Sequence, residues 1–371
     1  MAHADASTST AMPPLPPEPR RPLLAVAPMI DVTDRHFRML IRCVSPLPTL
    51  WTEMTWDRAI LYNAPSEPEY ALNKNEPRKS VESLIGFSAE ERPLVMQLGG
   101  AEPERLARAA AHAARRGYDE VNLNCGCPSD RVQSGMFGAC LMARPQLVAD
   151  CVAAMRDACD LPVTVKHRIG IDAMEHYEEL AAFVEPVAAA GCEVFIVHAR
   201  KAWLQGLSPK ENREIPPLNY PWVYRLKRDF PQLTIVLNGG IQSLEECEEH
   251  LRHVDGVMLG REAYQNPWLL ADADRRLFGV DNPAACRDDV LRALLPYIET
   301  HLAGGGRLNH VTRHLLGLYQ GVPGARRFRR HLSENAFRPE AGADVLRRAQ
   351  QLVGERGRRP TTTTEAASTT L

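Results

Sequence analysis

The chain predicts an α/β fold, a (β/α)8 (TIM) barrel followed by a small all-helical C-terminal domain, on three observations. Eight apolar runs of strand length, at 23–29, 49–54, 93–98, 120–124, 162–167, 193–198, 234–238 and 256–260, recur within about 240 residues with helical patterns between them. The runs are continuously apolar rather than alternating, which is the pattern of parallel strands covered on both faces. After Phe278 the strand signal stops and only helical periodicity continues. Eight strand–helix units are the number that closes a barrel of this kind.

The elements follow in order. Residues 1–21 are rich in Ala, Ser, Thr and Pro and predict a disordered extension; 22–278 form the barrel. Within it, a helix over 102–116 has Pro103 in its first turn and Gly117 as a left-handed cap, and Ser243 and Glu246 have capping-box spacing. Residues 63–91 predict a long surface loop, and 279–286 a linker. The helical domain spans 287–355, with helices expected at 290–302, 311–320 and 343–353, and the Thr-rich 356–371 is a disordered tail.

Composition sets limits on function. No run approaches the roughly 20 apolar residues of a membrane span. Nine cysteines, an odd number without paired spacing, point to a reducing compartment, the cytoplasm. The net charge of −2 conceals a polar distribution: residues 301–360 hold twelve Arg against four Asp and Glu, including Arg326-Arg327-Phe328-Arg329-Arg330. Such a segment is either a solvated helix face or a nucleic-acid contact.

In a barrel the chemistry sits at the carboxyl ends of the strands. Those ends read Ala27-Pro28-Met29, Gln97-Leu98-Gly99-Gly100, Asn124-Cys125-Gly126-Cys127-Pro128-Ser129, Lys166-His167-Arg168, His198-Ala199-Arg200, Asn238-Gly239-Gly240 and Gly260-Arg261. The glycines after strands seven and eight, with Arg261, form a phosphate site, because glycine lets backbone N–H groups approach an anion. FMN fits the rest. Gln97 can bond the polar edge of an isoalloxazine, and Lys166 can stabilise the anionic reduced ring. A Schiff-base lysine is the competing reading of Lys166, but an aldolase has no use for Cys127, which follows strand four in a Gly-Cys-Pro turn. Cys125 and Cys127 lack the spacing of common zinc sites, and His310 and His314, four apart, lack the acidic neighbour of a zinc protease. The expectation is no metal, with both histidines solvated or capping.

Together these segments closely resemble the tRNA-dihydrouridine synthases, in particular the bacterial A subfamily. The resemblance covers about residues 26–353. Its most specific stretches are Ala27-Pro28-Met29-Ile30-Asp31-Val32-Thr33-Asp34-Arg35-His36, Asn122 through Gln133, His198-Ala199-Arg200-Lys201-Ala202-Trp203, Ser208-Pro209-Lys210-Glu211-Asn212-Arg213 and Leu332-Ser333-Glu334-Asn335. It implies FMN against Ala27, Pro28, Met29, Gln97, Lys166, His198, Asn238, Gly239, Gly240, Gly260 and Arg261. It implies Cys127 as proton donor, and contact with tRNA through Asn124, Lys210, Arg213, Arg326 and Arg329. The substrate it implies is uridine in the D-loop, at positions 20 and 20a, with NADPH as reductant and the protein a monomer. Hydride would pass from flavin N5 to C6 of the base while Cys127 protonates C5. Cys125 stands where relatives usually carry an aliphatic residue and is a second candidate thiol, but the Gly-Cys-Pro context favours Cys127. A reductase of free pyrimidines or an inactive tRNA-binding protein would share much of this pattern.

Overall fold

The structure is a computed structural model that describes residues 23–64, 66, 80–129, 132 and 135–353. The expected N-terminal extension, the C-terminal tail, most of 65–79 and Asp130, Arg131 and Gln133 lie outside the described residues.

Among the described residues nine strands form the sheet: β1 (Leu23–Val26), β2 (Leu50–Trp51), β3 (Thr55–Trp56), β4 (Leu94–Gly99), β5 (Glu120–Cys125), β6 (Val163–Arg168), β7 (Val194–His198), β8 (Thr234–Asn238) and β9 (Gly256–Leu259). All pair parallel in the order β1-β9-β8-β7-β6-β5-β4-β2, and β3 also pairs with β4. The ring closes where Val26 N–H donates to Thr49 O (2.9 Å) and Thr49 N–H to Leu24 O (2.8 Å). Of the expected second strand, 49–54, only Leu50–Trp51 is strand; it breaks off there, and β3 lies beyond it at 55–56. The Thr52 hydroxyl explains the break: it accepts from Gln97 N–H (3.1 Å) and donates to Glu53 O (2.8 Å), taking the place of a backbone partner.

Strand alternation separates two cores. Outward residues such as Met96, Leu123, Val165, Phe195 and Leu237 pack with the surrounding helices, while Ala25, Trp51, Val95, Ile196, Val236 and Met258 fill the barrel interior as a separate apolar cluster. Two residues further along, on the same inward face, the interior turns polar: Gln97 follows Val95, His198 follows Ile196 and Asn238 follows Val236. The apolar plug is thus the floor of a polar mouth.

The helices around the barrel are α1 (Arg35–Val44), α2 (Asp57–Asn63), α3 (Val81–Ile85), α4 (Pro103–Arg115), α5 (Pro145–Ala158), α6 (Tyr177–Ala189), α7 (Tyr220–Asp229), α8 (Leu244–His250), α9 (Arg261–Gln265) and α10 (Ala273–Phe278). Gly117 ends α4 with φ +80°, and the Ser243 side chain accepts from Glu246 N–H at the start of α8. The stretch 80–91 is not the surface loop expected of it. It holds α3, and buried Glu91 pairs with buried Arg38 at 2.6 Å while bonding Ser88 N–H (2.7 Å). Replacing Glu91 with Ala strands a buried guanidinium, so we expect a loss of about 3–5 kcal/mol in urea unfolding. A change under about 1 kcal/mol would mean that water reaches Arg38.

Among the described residues four helices follow: α11 (Arg287–Ala303), α12 (Leu308–Thr312), α13 (Ala325–Asn335) and α14 (Ala343–Gln351). The single helix expected over 311–320 is instead α12, a turn and a 3-10 segment at Leu315–Gly317. At Gly317 the chain passes so close to α9 that a Cβ would lie 2.3 Å from Gln265 O. The C-terminal helices are fastened to α1. Asp34, the N-cap of α1, bonds His36 N–H and Phe37 N–H and pairs with Arg313 (2.5 Å) and His314 (3.0 Å). Burial alone would raise the Asp34 carboxyl, but the bonds from His314, Phe37 and Arg313 hold it well below its ordinary range. His314 is 1% exposed, so in place of the solvated or capping histidine expected there the fold holds a buried one, its Nε2 3.0 Å from Asp34 Oδ1. Among the described residues no helix is long and apolar enough to cross a membrane.

Candidate active site

The polar mouth opens into a pocket of about 620 Å³. Every residue assigned to FMN from the sequence lines it: Ala27, Pro28, Met29, Gln97, Lys166, His198, Asn238, Gly239, Gly240, Gly260 and Arg261. Cys127, Asn124 and Arg213 line it as well. Three of the other expected residues stand apart: Lys210 and Arg326 are exposed outside the pocket, and Arg329 lines a smaller cavity with Tyr264, Arg313, His314, Gly317 and Gln320. Gln265 borders both cavities.

Backbone geometry explains the glycines after β8. Gly239 and Gly240 have φ of +108° and +80°. A Cβ on Gly239 would lie 2.4 Å from His198 Cδ2, and one on Gly240 would lie 2.6 Å from the Tyr220 hydroxyl. A Cβ on Gly260, by contrast, would meet nothing within 4 Å. Arg261, beside them, pairs with Glu214 at 2.6 Å.

A chain of amides crosses the mouth. Asn124 Nδ2 donates to Gln97 Oε1 (2.9 Å), Gln97 Nε2 to Asn122 Oδ1 (3.0 Å) and Asn122 Nδ2 to Thr164 Oγ1 (2.9 Å). At its end, Asn124 Oδ1 accepts from both Gly126 N–H and Cys127 N–H, each at 3.0 Å. The Gly-Cys-Pro turn is therefore shaped by Asn124 from within. Gly138 closes it from outside, with φ +77° and no room for a Cβ, which would lie 2.6 Å from Cys127 O. The two candidate thiols separate here: Cys127 faces the pocket, whereas Cys125 is fully buried toward the helices, where burial raises its pKa well above the ordinary thiol value.

A sequence comparison sets this geometry among known proteins. The family model described as "Dihydrouridine synthase (Dus)" matches residues 25–353. The chain belongs to the dihydrouridine synthase family. Relatives include the tRNA-dihydrouridine(20/20a) synthases of Shewanella oneidensis, 56% identical over 89% of this chain and 93% of that one, and of Escherichia coli K12, 56% identical over 90% and 92%. A third, from Salmonella typhimurium, is 56% identical over 90% of this chain and 95% of its own.

In this dihydrouridine synthase family member, one buried group to which the strand-end motifs alone give no role is Arg168. Its guanidinium donates to Gly126 O (2.9 Å), Lys201 O (3.1 Å) and Asn212 O (2.9 Å), joining the cysteine turn to the loop that carries Lys210 and Arg213. Asn212 fixes that loop in turn, bonding Trp203 N–H (2.8 Å) and Trp203 O (2.9 Å). The sequence does carry a signal for it, since Arg168 lies two residues after Lys166 on the same strand face. Met54, Ile30, Ser129, Pro209 and Gln242 also line the pocket, and no sequence argument singles them out as site residues.

Lys166 Nζ donates to Asn238 Oδ1 at 3.0 Å, and burial, helped by Arg168, lowers its pKa from 10.5 to about 7. The unfolded chain therefore holds a proton between about pH 7 and 10.5 that the ligand-free fold does not. Stability should rise with pH across that window, by up to about 1.4 kcal/mol per unit. Below pH 7 the cost of the buried ammonium is constant. Unfolding curves of ligand-free wild type and Lys166→Met should differ in slope by about one proton over that range, and parallel curves would contradict the burial.

Proposed function

We propose that the chain reduces uridine to 5,6-dihydrouridine in the D-loop of tRNA, at positions 20 and 20a, with FMN held in the strand-end pocket and NADPH as reductant. The observation that carries this reading is the convergence of eleven expected cofactor residues and Cys127 on one pocket at the carboxyl end of the barrel.

The pocket suits FMN on its own geometry. Gly239 and Gly240 bare their backbone at positive φ, and Gly260 leaves open space, which is the surface a phosphate needs. The volume falls within the range of roughly 300–1,000 Å³ for small-molecule sites. When bound, FMN supplies the hydride taken up at C6 of the base. Lys166, with Asn238 orienting its ammonium, would offer positive charge to the ring's N1–C2=O end, and the bound anion would favour its protonated state. Gln97 would meet the polar edge of the ring.

The remaining steps belong to side chains. Asn124 and Arg168 hold the two sides of the cysteine turn, so the Cys127 thiol faces the pocket and can give its proton to C5 as negative charge develops there. A thiol suits this role because its S–H can act as a general acid toward a carbon where negative charge is developing. Asn124 keeps a second Nδ2 hydrogen with which to orient the base. The uracil must leave its stack at a cost of a few kcal/mol, which phosphate contacts of Lys210, Arg213, Arg326 and Arg329 would offset. With all nine cysteines free, the cytoplasm suits the protein.

Dihydrouridine mapped in tRNA from cells without this protein should vanish at 20 and 20a and return when it is restored. Unchanged levels, or turnover of free uridine as fast as of tRNA, would overturn the reading.

A further inference from the structure

We propose that His36, His301 and His310 form a binding site for one borderline divalent metal ion of the Zn²⁺ class, at the junction of α1 with α11 and α12. The site lies outside the pocket, and the proposed reaction uses none of the three side chains. It revises the expectation of no metal. By spacing alone His310 pairs with His314, one helical turn on, but the fold sets His314 against Asp34 and His310 beside His301 and the sequence-remote His36.

One ligating nitrogen from each ring lies within 4.8 Å of the other two. His301 Nε2 and His310 Nδ1 are 3.3 Å apart. That is about the separation of two nitrogens sharing a tetrahedral ion with bonds of about 2.0–2.1 Å. The ring centroids, 4.5 Å apart for His36–His301 and 5.4 Å for His301–His310, form a compact tripod. The backbone packs closely on it: a Cβ on Gly306 would lie 2.2 Å from His301 Nε2 and Cε1, so a larger residue there would push the ring aside. The Tyr297 hydroxyl, 2.7 Å from His36 Nδ1, supplies the oxygen that orients a ligating imidazole.

Charge permits a cation. His301 is in the last turn of α11, where the helix dipole is negative, and Asp34 lies nearby. The adjacent Arg35 opposes positive charge at His301, as Asp34 favours it, but its guanidinium is bonded to Gly86 O (2.8 Å). Three imidazoles without a carboxylate or thiolate select Zn²⁺, Ni²⁺ or Cu²⁺ over the oxygen-seeking Mg²⁺ and Ca²⁺. With three protein ligands, the fourth position is open to water. A bound ion would tie the C-terminal helices to the barrel.

The test is calorimetric titration of ZnCl₂ into full-length, tag-free, flavin-loaded protein after removal of metals with a chelator. Wild type and His253→Gln, which changes a histidine outside the cluster, should bind one equivalent. His301→Gln and His310→Gln should each bind at least tenfold more weakly, and Gly306→Ala, which removes no ligand, should also weaken binding. Zn²⁺ should raise Tm in wild type but not in His301→Gln; if that variant fails to fold, His310→Gln gives the same reading. Titration with Co²⁺ should yield visible bands without thiolate charge transfer. Absence of a stoichiometric site, equal affinity in the histidine variants, or a thiolate signature would each overturn the proposal.

Discussion

Cys127→Ala protein should still bind FMN and still bleach with NADPH, yet form dihydrouridine in tRNA about a thousandfold more slowly. General acid catalysis by a placed side chain typically contributes about 10²–10⁴-fold, and among the described residues lining the pocket no second thiol is present to take over. Cys125→Ala supplies the contrast. That side chain faces the helices, so its loss should cost stability and leave turnover near wild type. Separate assays of flavin reduction and tRNA product distinguish the two. Full turnover by Cys127→Ala would remove the thiol from the mechanism.

Gly239→Ala should lower affinity for FMN about a hundredfold, equivalent to about 2.7 kcal/mol. The methyl group would enter at φ +108°, where side chains are strained, and meet His198 Cδ2 at 2.4 Å. Either relaxation, a turn of the Gly-Gly backbone or a rotation of His198, disturbs a wall of the pocket. Quenching of FMN fluorescence measures the loss, with far-ultraviolet circular dichroism as a check on folding. Undiminished affinity would remove the phosphate from the ends of β8 and β9.

Much of this architecture was legible in the residues because buried parallel strands leave uninterrupted apolar runs, and because a barrel assigns chemistry to the end of each run. Gln97, Lys166, His198 and Asn238 could be named as one set for that reason. What was not legible depends on contacts distant in the chain. The second strand ends early at Thr52, which bonds Gln97, 45 residues away. Glu91 is buried only because Arg38 awaits it, and the 311–320 helix breaks because Gly317 presses on Gln265. No local pattern carries such pairings. Nor could periodicity reveal that His310 belongs with His36 rather than with His314.

Arg168 has a consequence for how ionic conditions divide the proposed reaction. Its three acceptors are peptide carbonyls, so the rigging of the cysteine turn uses no surface ion pair for dissolved salt to screen. The proposed capture of a polyanion by Lys210, Arg213, Arg326 and Arg329, in contrast, would weaken steeply as counterions accumulate. Concentrated electrolyte should therefore starve the catalyst of its substrate while leaving the catalytic apparatus itself in register.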